Sequence, residues 1–103
     1  MAARKKKLSN LDAWVVDNNL DDANILKADG YDDAVIGVCS GCGQPDRLVY
    51  DREKIIEILM ARDGMDYEEA EEYFGFNILG SYMGPTTPLY LTNKYEPNQE
   101  KDN

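Results

Sequence analysis

Histidine is absent from all 103 residues, and the absence closes several routes at once. Ser-His-Asp and Cys-His machinery requires an imidazole, as does histidine ligation of zinc or haem. No other side chain titrates near neutrality unless its surroundings shift it, so acid–base work would fall to a perturbed carboxylate, Lys, Tyr or Cys. Cysteine is nearly as scarce, with Cys39 and Cys42 only, two short of the four ligands of a closed structural zinc site. Long apolar runs are missing as well; none approaches the roughly 20 residues that span a bilayer. Positive charge is thin outside the first few residues. Arg4, Lys5, Lys6 and Lys7 leave seven of the 11 basic residues to face all 20 acids, so residues 8–103 carry a net −13. Such a body repels phosphate, which argues against nucleic acid as the partner of the folded part. The basic run is followed by Ser9, Asn10 and Asp12 rather than by an apolar stretch, so it does not read as a secretory leader. It fits a solvated tail, with a weak contact to nucleic acid or an acidic partner as the alternative.

What is present suffices for one core. The apolar share is 43% and the charged share 30%, a balance expected of a globular middle with polar ends. Residues 1–7 read as a basic disordered tail, 8–92 as a single domain and 93–103 as a second disordered tail. Leu11, Trp14 and Val15 share one face of a short first helix, capped by Ser9 or Asn10. Asp29-Gly30 marks a turn. Ala34–Cys39 and Arg47–Tyr50 follow as strands, joined across Gly41, Gly43 and Pro45 by a connection of about seven residues. Asp51 stands as N-cap before a helix that carries Ile55, Ile56, Leu59 and Met60 on one face and stops at Gly64. Asp66 and Glu69 form a capping-box pair for the next helix, which runs to Leu79 and ends at Gly80. On it Tyr67, Ala70, Tyr73, Phe74, Asn77 and Ile78 form the apolar face, and Glu68, Glu71 and Glu72 the outward one. Thr87–Thr92 reads as a last strand with Pro88 at its start or edge. The order α-β-β-α-α-β gives an α+β domain with a short antiparallel or mixed sheet and two central helices.

Few motifs carry chemistry. Cys39-Ser40-Gly41-Cys42-Gly43 has the spacing of a metal knuckle, but a third and fourth ligand would have to come from a dimer or from carboxylates. A redox reading is weakened by its place between strands instead of at a helix N-terminus. A glycine-rich hairpin with two reduced thiols is the plainer reading. Asp29, Asp32 and Asp33 lack the alternating spacing of a calcium loop and fit a turn. Asn77, on the apolar face, would need a hydrogen-bonded clamp to the backbone if buried, with ligand contact as the alternative. Seven tyrosines suit either core boundaries or partner surfaces. Tyr82 and Met83, between Gly80 and Gly84-Pro85, are the best placed for an exposed contact.

The stretches Gly30–Gly37, Leu48–Lys54, Asp63–Ala70, Phe76–Gly80 and Thr87–Tyr90 together resemble a group of small uncharacterised bacteriophage and prophage proteins. The resemblance spans roughly residues 28–91 and implies a cytoplasmic protein of an infected bacterial cell. It brings no activity and no catalytic residue. The expectation is therefore a non-enzymatic accessory protein that needs no cofactor and no membrane. It would bind a basic protein partner through an acidic, tyrosine-bearing surface that includes Glu68, Glu71, Glu72, Tyr82 and Met83. The alternative is a metal-knuckle or thiol protein built on Cys39 and Cys42.

Overall fold

A computed structural model describes residues 10–20 and 24–97. The expected tail at 1–7, residues 98–103 of the expected tail at 93–103, and the proposed cap Ser9 lie outside the described residues. Helix α1 (Asn10–Asp17) is followed by a loop and a 3-10 turn at Asp32–Ala34; strands β1 (Val35–Gly41) and β2 (Gln44–Asp51) come next. Helices α2 (Arg52–Asp63) and α3 (Tyr67–Tyr73) follow, α3 continues as a π-helical segment from Phe74 to Leu79, and β3 (Leu89–Leu91) is the last element among the described residues. The sheet is mixed, in the order β1-β2-β3, with β1 antiparallel and β3 parallel to the central strand. This is the expected α+β class, with the 3-10 turn and the π segment added to the element order.

Local chemistry sets the boundaries of α2 and α3. The Asp51 carboxylate accepts the Glu53 N–H, satisfying one of the free donors at the start of α2, and Gly64 ends it in the left-handed region at φ 72°. Asp66 accepts the Glu69 N–H at 2.8 Å while the Glu69 carboxylate accepts the Asp66 N–H at 3.0 Å, a complete capping box.

The core joins both layers. Leu48 and Tyr50, two apart on β2 and hence on one face, are fully buried with Ile55, Ile56 and Leu59 of α2. Leu11 and Val15 of α1, Leu20, Tyr31 and Ala34 after it, and Ala70, Phe74 and Ile78 of the α3–π unit belong to the same cluster. The Tyr50 hydroxyl accepts the Ala28 N–H at 2.8 Å, which ties the loop after α1 to the sheet. Arg62 donates to the Gly30 carbonyl at 2.9 Å and stacks 5.1 Å from the centre of the Tyr31 ring, fastening the same loop to α2.

Two expectations are corrected. The hairpin connection is the two-residue turn Cys42-Gly43, closed by the pair Gly41↔Gln44, not a seven-residue loop. The tip is exposed on both faces, so pairing there requires no apolar alternation. Pro45 is tolerated in the central strand because β3 reaches only Val49, Tyr50 and Asp51. The second correction is Asn77, which is exposed rather than turned to the core. From Phe74 onward the hydrogen-bonded turns widen to the i→i+5 kind; Phe74 and Ile78, four apart, stay inside while the position between them swings out.

Candidate functional site

The α3–π unit carries most of the residues singled out from the sequence, and its construction explains their placement. Arg52, at the first turn of α2, donates to Glu71 at 2.6 Å and to Glu53 at 2.8 Å, and its guanidinium lies 5.7 Å from the Phe74 ring centre. The Glu71 hydrogen bond, ahead of every other influence, holds that guanidinium charged above its ordinary range. Glu71 is therefore a fastener between helices and differs in kind from Glu68 and Glu72, which are exposed and form no ion pair among the described residues. Asp66, Glu68, Glu69, Glu71 and Glu72 together border an open acidic groove.

Beside this acidic face runs an apolar one. The π segment leaves Phe76 82% and Leu79 54% exposed, and the loop that follows leaves Tyr82 72% and Met83 60% exposed. Tyr73, at the end of α3, is exposed as well. Phe74 and Ile78, four apart, serve the core, while Phe76 and Leu79 face solvent. Between the acidic and apolar faces lies a groove of about 310 Å3 lined by Met65, Glu69, Glu72, Tyr73, Phe76 and Asn77. Tyr73 and Asn77 also wall a neighbouring cleft of about 280 Å3, which reaches Tyr31, Met83 and Tyr90. The two hollows thus share a ridge.

The loop holding Tyr82 and Met83 is pinned from within. The Met83 N–H donates to the hydroxyl of Thr87 at 2.8 Å, the Thr87 N–H donates to the Gly84 carbonyl at 3.1 Å, and the Thr87 carbonyl accepts from Arg47 Nε at 2.6 Å. Thr87 is a buried polar residue whose hydroxyl is satisfied by this clamp. Thr86 adds a bond from its hydroxyl to the Asn24 carbonyl at 2.9 Å. Tyr82 and Met83 are thus displayed on an anchored loop. The clamp at Thr87 and the exposure of Phe76 and Leu79 have no signal in the sequence; Gly80 and Gly84-Pro85 mark only the loop of Tyr82 and Met83.

Cys39 and Cys42 sit at the hairpin tip, both free and exposed. Cys39 lies on β1 opposite Arg47, and Cys42 opens the turn whose positive φ is carried by Gly43. Among the described residues no three His, Cys, Asp or Glu side chains are grouped so as to hold a metal ion. Asp29, Asp32 and Asp33 are exposed around the 3-10 turn and Gly30, whose φ is 94°. Among the described residues no helix is long and apolar enough to cross a membrane.

The arrangement defines a small α+β domain that presents an acidic helix face alongside an exposed aromatic one. No protein-family model matches the chain, and neither curated proteins nor solved structures yield a match.

Proposed function

We propose that the chain is a non-enzymatic binding protein whose partner is a basic protein, engaged by the acidic and aromatic face of the α3–π unit and the loop after it. One observation carries this reading. Phe76, Leu79, Tyr82 and Met83 stand more than half exposed; Phe76 shares a groove with Glu69 and Glu72, and Met83 shares a cleft with Tyr73 and Asn77 of that groove. Grouped exposed apolar side chains rimmed by charge mark interaction surfaces more often than scattered single ones do. Aromatic residues and methionine are the types enriched at interface centres. The acids supply steering toward a positive surface, which acts mainly on the rate of encounter. A host or viral protein of an infected bacterial cell is the partner that the phage-type resemblance suggests.

The test is capture from a lysate of infected bacteria with the protein immobilised, followed by variants. Phe76→Ser should abolish capture of the specific partner. The double change Glu68→Gln with Glu72→Gln should slow association about as raised salt does. Cys39→Ser with Cys42→Ser should leave capture unchanged. Loss of capture in the cysteine pair alone, together with stoichiometric zinc that Cys42→Ser removes, would replace this reading by the metal-knuckle one.

A further inference from the structure

The sheet order leaves β1 at an edge, and that edge is poorly protected. Among the described residues no backbone hydrogen bond reaches Ile36–Gly41 from outside the hairpin. Natural edge strands are blunted by lysines, prolines, inward charges or a covering element. Here no charged residue stands between Ala34 and Pro45, and the strand itself holds no proline. Its pairing with β2 is irregular at two places, between Val35 and Gly37 and between Cys39 and Gly41, and the first shift makes Ile36 an extra, unpaired residue on β1. A bulge of this kind re-aims a side chain. Ile36 is 51% exposed and lines a groove of about 430 Å3 between β1 and α1, whose other walls include Leu11 and Trp14. Trp14 is itself 39% exposed. Asp32 and Asp33 also line the groove, both exposed and neither in an ion pair among the described residues.

We propose that this edge and groove form a second docking site, for an extended segment of a partner in which apolar side chains alternate with Lys or Arg and which adds to the sheet beside β1. The free amide and carbonyl groups of β1 supply the strand pairing. The Trp14–Ile36 groove takes an apolar side chain, and Asp32 and Asp33, which precede β1, receive a basic residue at the end of the paired stretch, where strict alternation of faces no longer holds. Charge selects this occupant over a second copy of the chain, which would bring its own Asp32 and Asp33 and a net −9 to the contact. The site shares no residue with the α3–π surface, so either can fail independently of the other.

Trp14 is the only tryptophan, so its emission reports directly on the groove. The probe is an acetylated, amidated peptide, Lys-Val-Thr-Val-Lys-Val-Thr, titrated into the full chain. The expected result is a saturable blue shift of Trp14 emission with slowed amide exchange across Ile36–Gly41. The counterpart with glutamate in place of lysine should bind about tenfold or more weakly. Ile36→Lys should abolish the shift; Asp32→Asn with Asp33→Asn, which leaves the strand untouched, should weaken the lysine peptide while the glutamate peptide gains. Unchanged emission and exchange up to millimolar peptide would overturn the proposal. So would equal binding of a peptide N-methylated at every residue, which has no amide donor left on either edge to pair as a strand. A blue shift that follows protein concentration alone, with a doubled mass, would make a second copy the occupant and overturn it equally.

Discussion

Tyr50 ties the central strand to the loop after α1. Its ring is fully buried on the central strand and its hydroxyl accepts the Ala28 N–H. Burial, above all, pushes its pKa up to about 12, because an ionised phenol would lose its hydration there. An unfolded tyrosine gives up its proton near 10, so the native state holds the proton more tightly than the unfolded chain. The resulting stabilisation is complete below about pH 10 and is lost as pH rises toward 12. Denaturant unfolding followed between pH 8 and 12 should show that decline, and Tyr50→Phe should flatten it. At neutral pH the same variant leaves the Ala28 N–H without its partner and should lose about 1–2 kcal/mol. Thr87 makes a similar case for the loop of Tyr82 and Met83. Thr87→Val keeps the shape but removes the acceptor of the Met83 N–H, and limited proteolysis should then cut between Gly80 and Pro85 sooner than in the parent. The cap at Asp66 is simpler. Asp66→Ala should cost about 1 kcal/mol in thermal or urea unfolding and Asp66→Ser much less, since serine can still accept the Glu69 N–H.

Between elements, Arg52 is the joint. Because Glu71 accepts from Arg52 while Glu68 and Glu72 stand free of ion pairs among the described residues, the three glutamates of one helical face should respond differently to neutralisation. Glu71→Gln should lower stability by about 0.5–1 kcal/mol, and a double-mutant cycle with Arg52→Gln should recover that coupling. Glu68→Gln and Glu72→Gln should leave stability within about 0.5 kcal/mol. The sequence could not distinguish these three residues, because the partner of Glu71 is 19 positions away. Local signals were legible: Asp51, Gly64, Asp66 and Glu69 mark ends of helices through bonds to their own near neighbours, and the structure uses each for that purpose. The hairpin tip was misread because glycine and proline weigh against a strand in any local window, whereas the pairing of Gly41 with Gln44 depends on the strand opposite. Asn77 was misplaced for a related reason. An α-helical period of 3.6 carries it inside, and nothing in the residues around Gly75 announces that the turn widens.

Across the whole molecule, charge dominates. With a net −9, the folded chain repels itself more than the expanded one does. Added salt screens that repulsion, so the melting temperature should rise between 20 mM and 500 mM sodium chloride. A fall would show that ion pairs such as Arg52–Glu71 and Lys94–Asp51 outweigh the repulsion. The same salt range should slow association with a basic partner, so stability and binding rate are expected to move in opposite directions.

The parallel pairing of β3 with β2 also governs how the chain can fold as it is made. Parallel neighbours need a long crossover, and here it contains α2, α3, the π segment and the clamped loop. A ribosome releases β1 and β2 early, and their antiparallel hairpin can close at once, because its contacts are short-range. The far side of β2 must then wait, unpaired, until Leu89, Tyr90 and Leu91 have cleared the exit tunnel. Until that moment Val49, Tyr50 and Asp51 form part of an open sheet edge that β3 covers in the finished protein. Stalled chains that end before Leu89 should therefore bind strand-capturing chaperones, and chains extended well past Leu91 should release them.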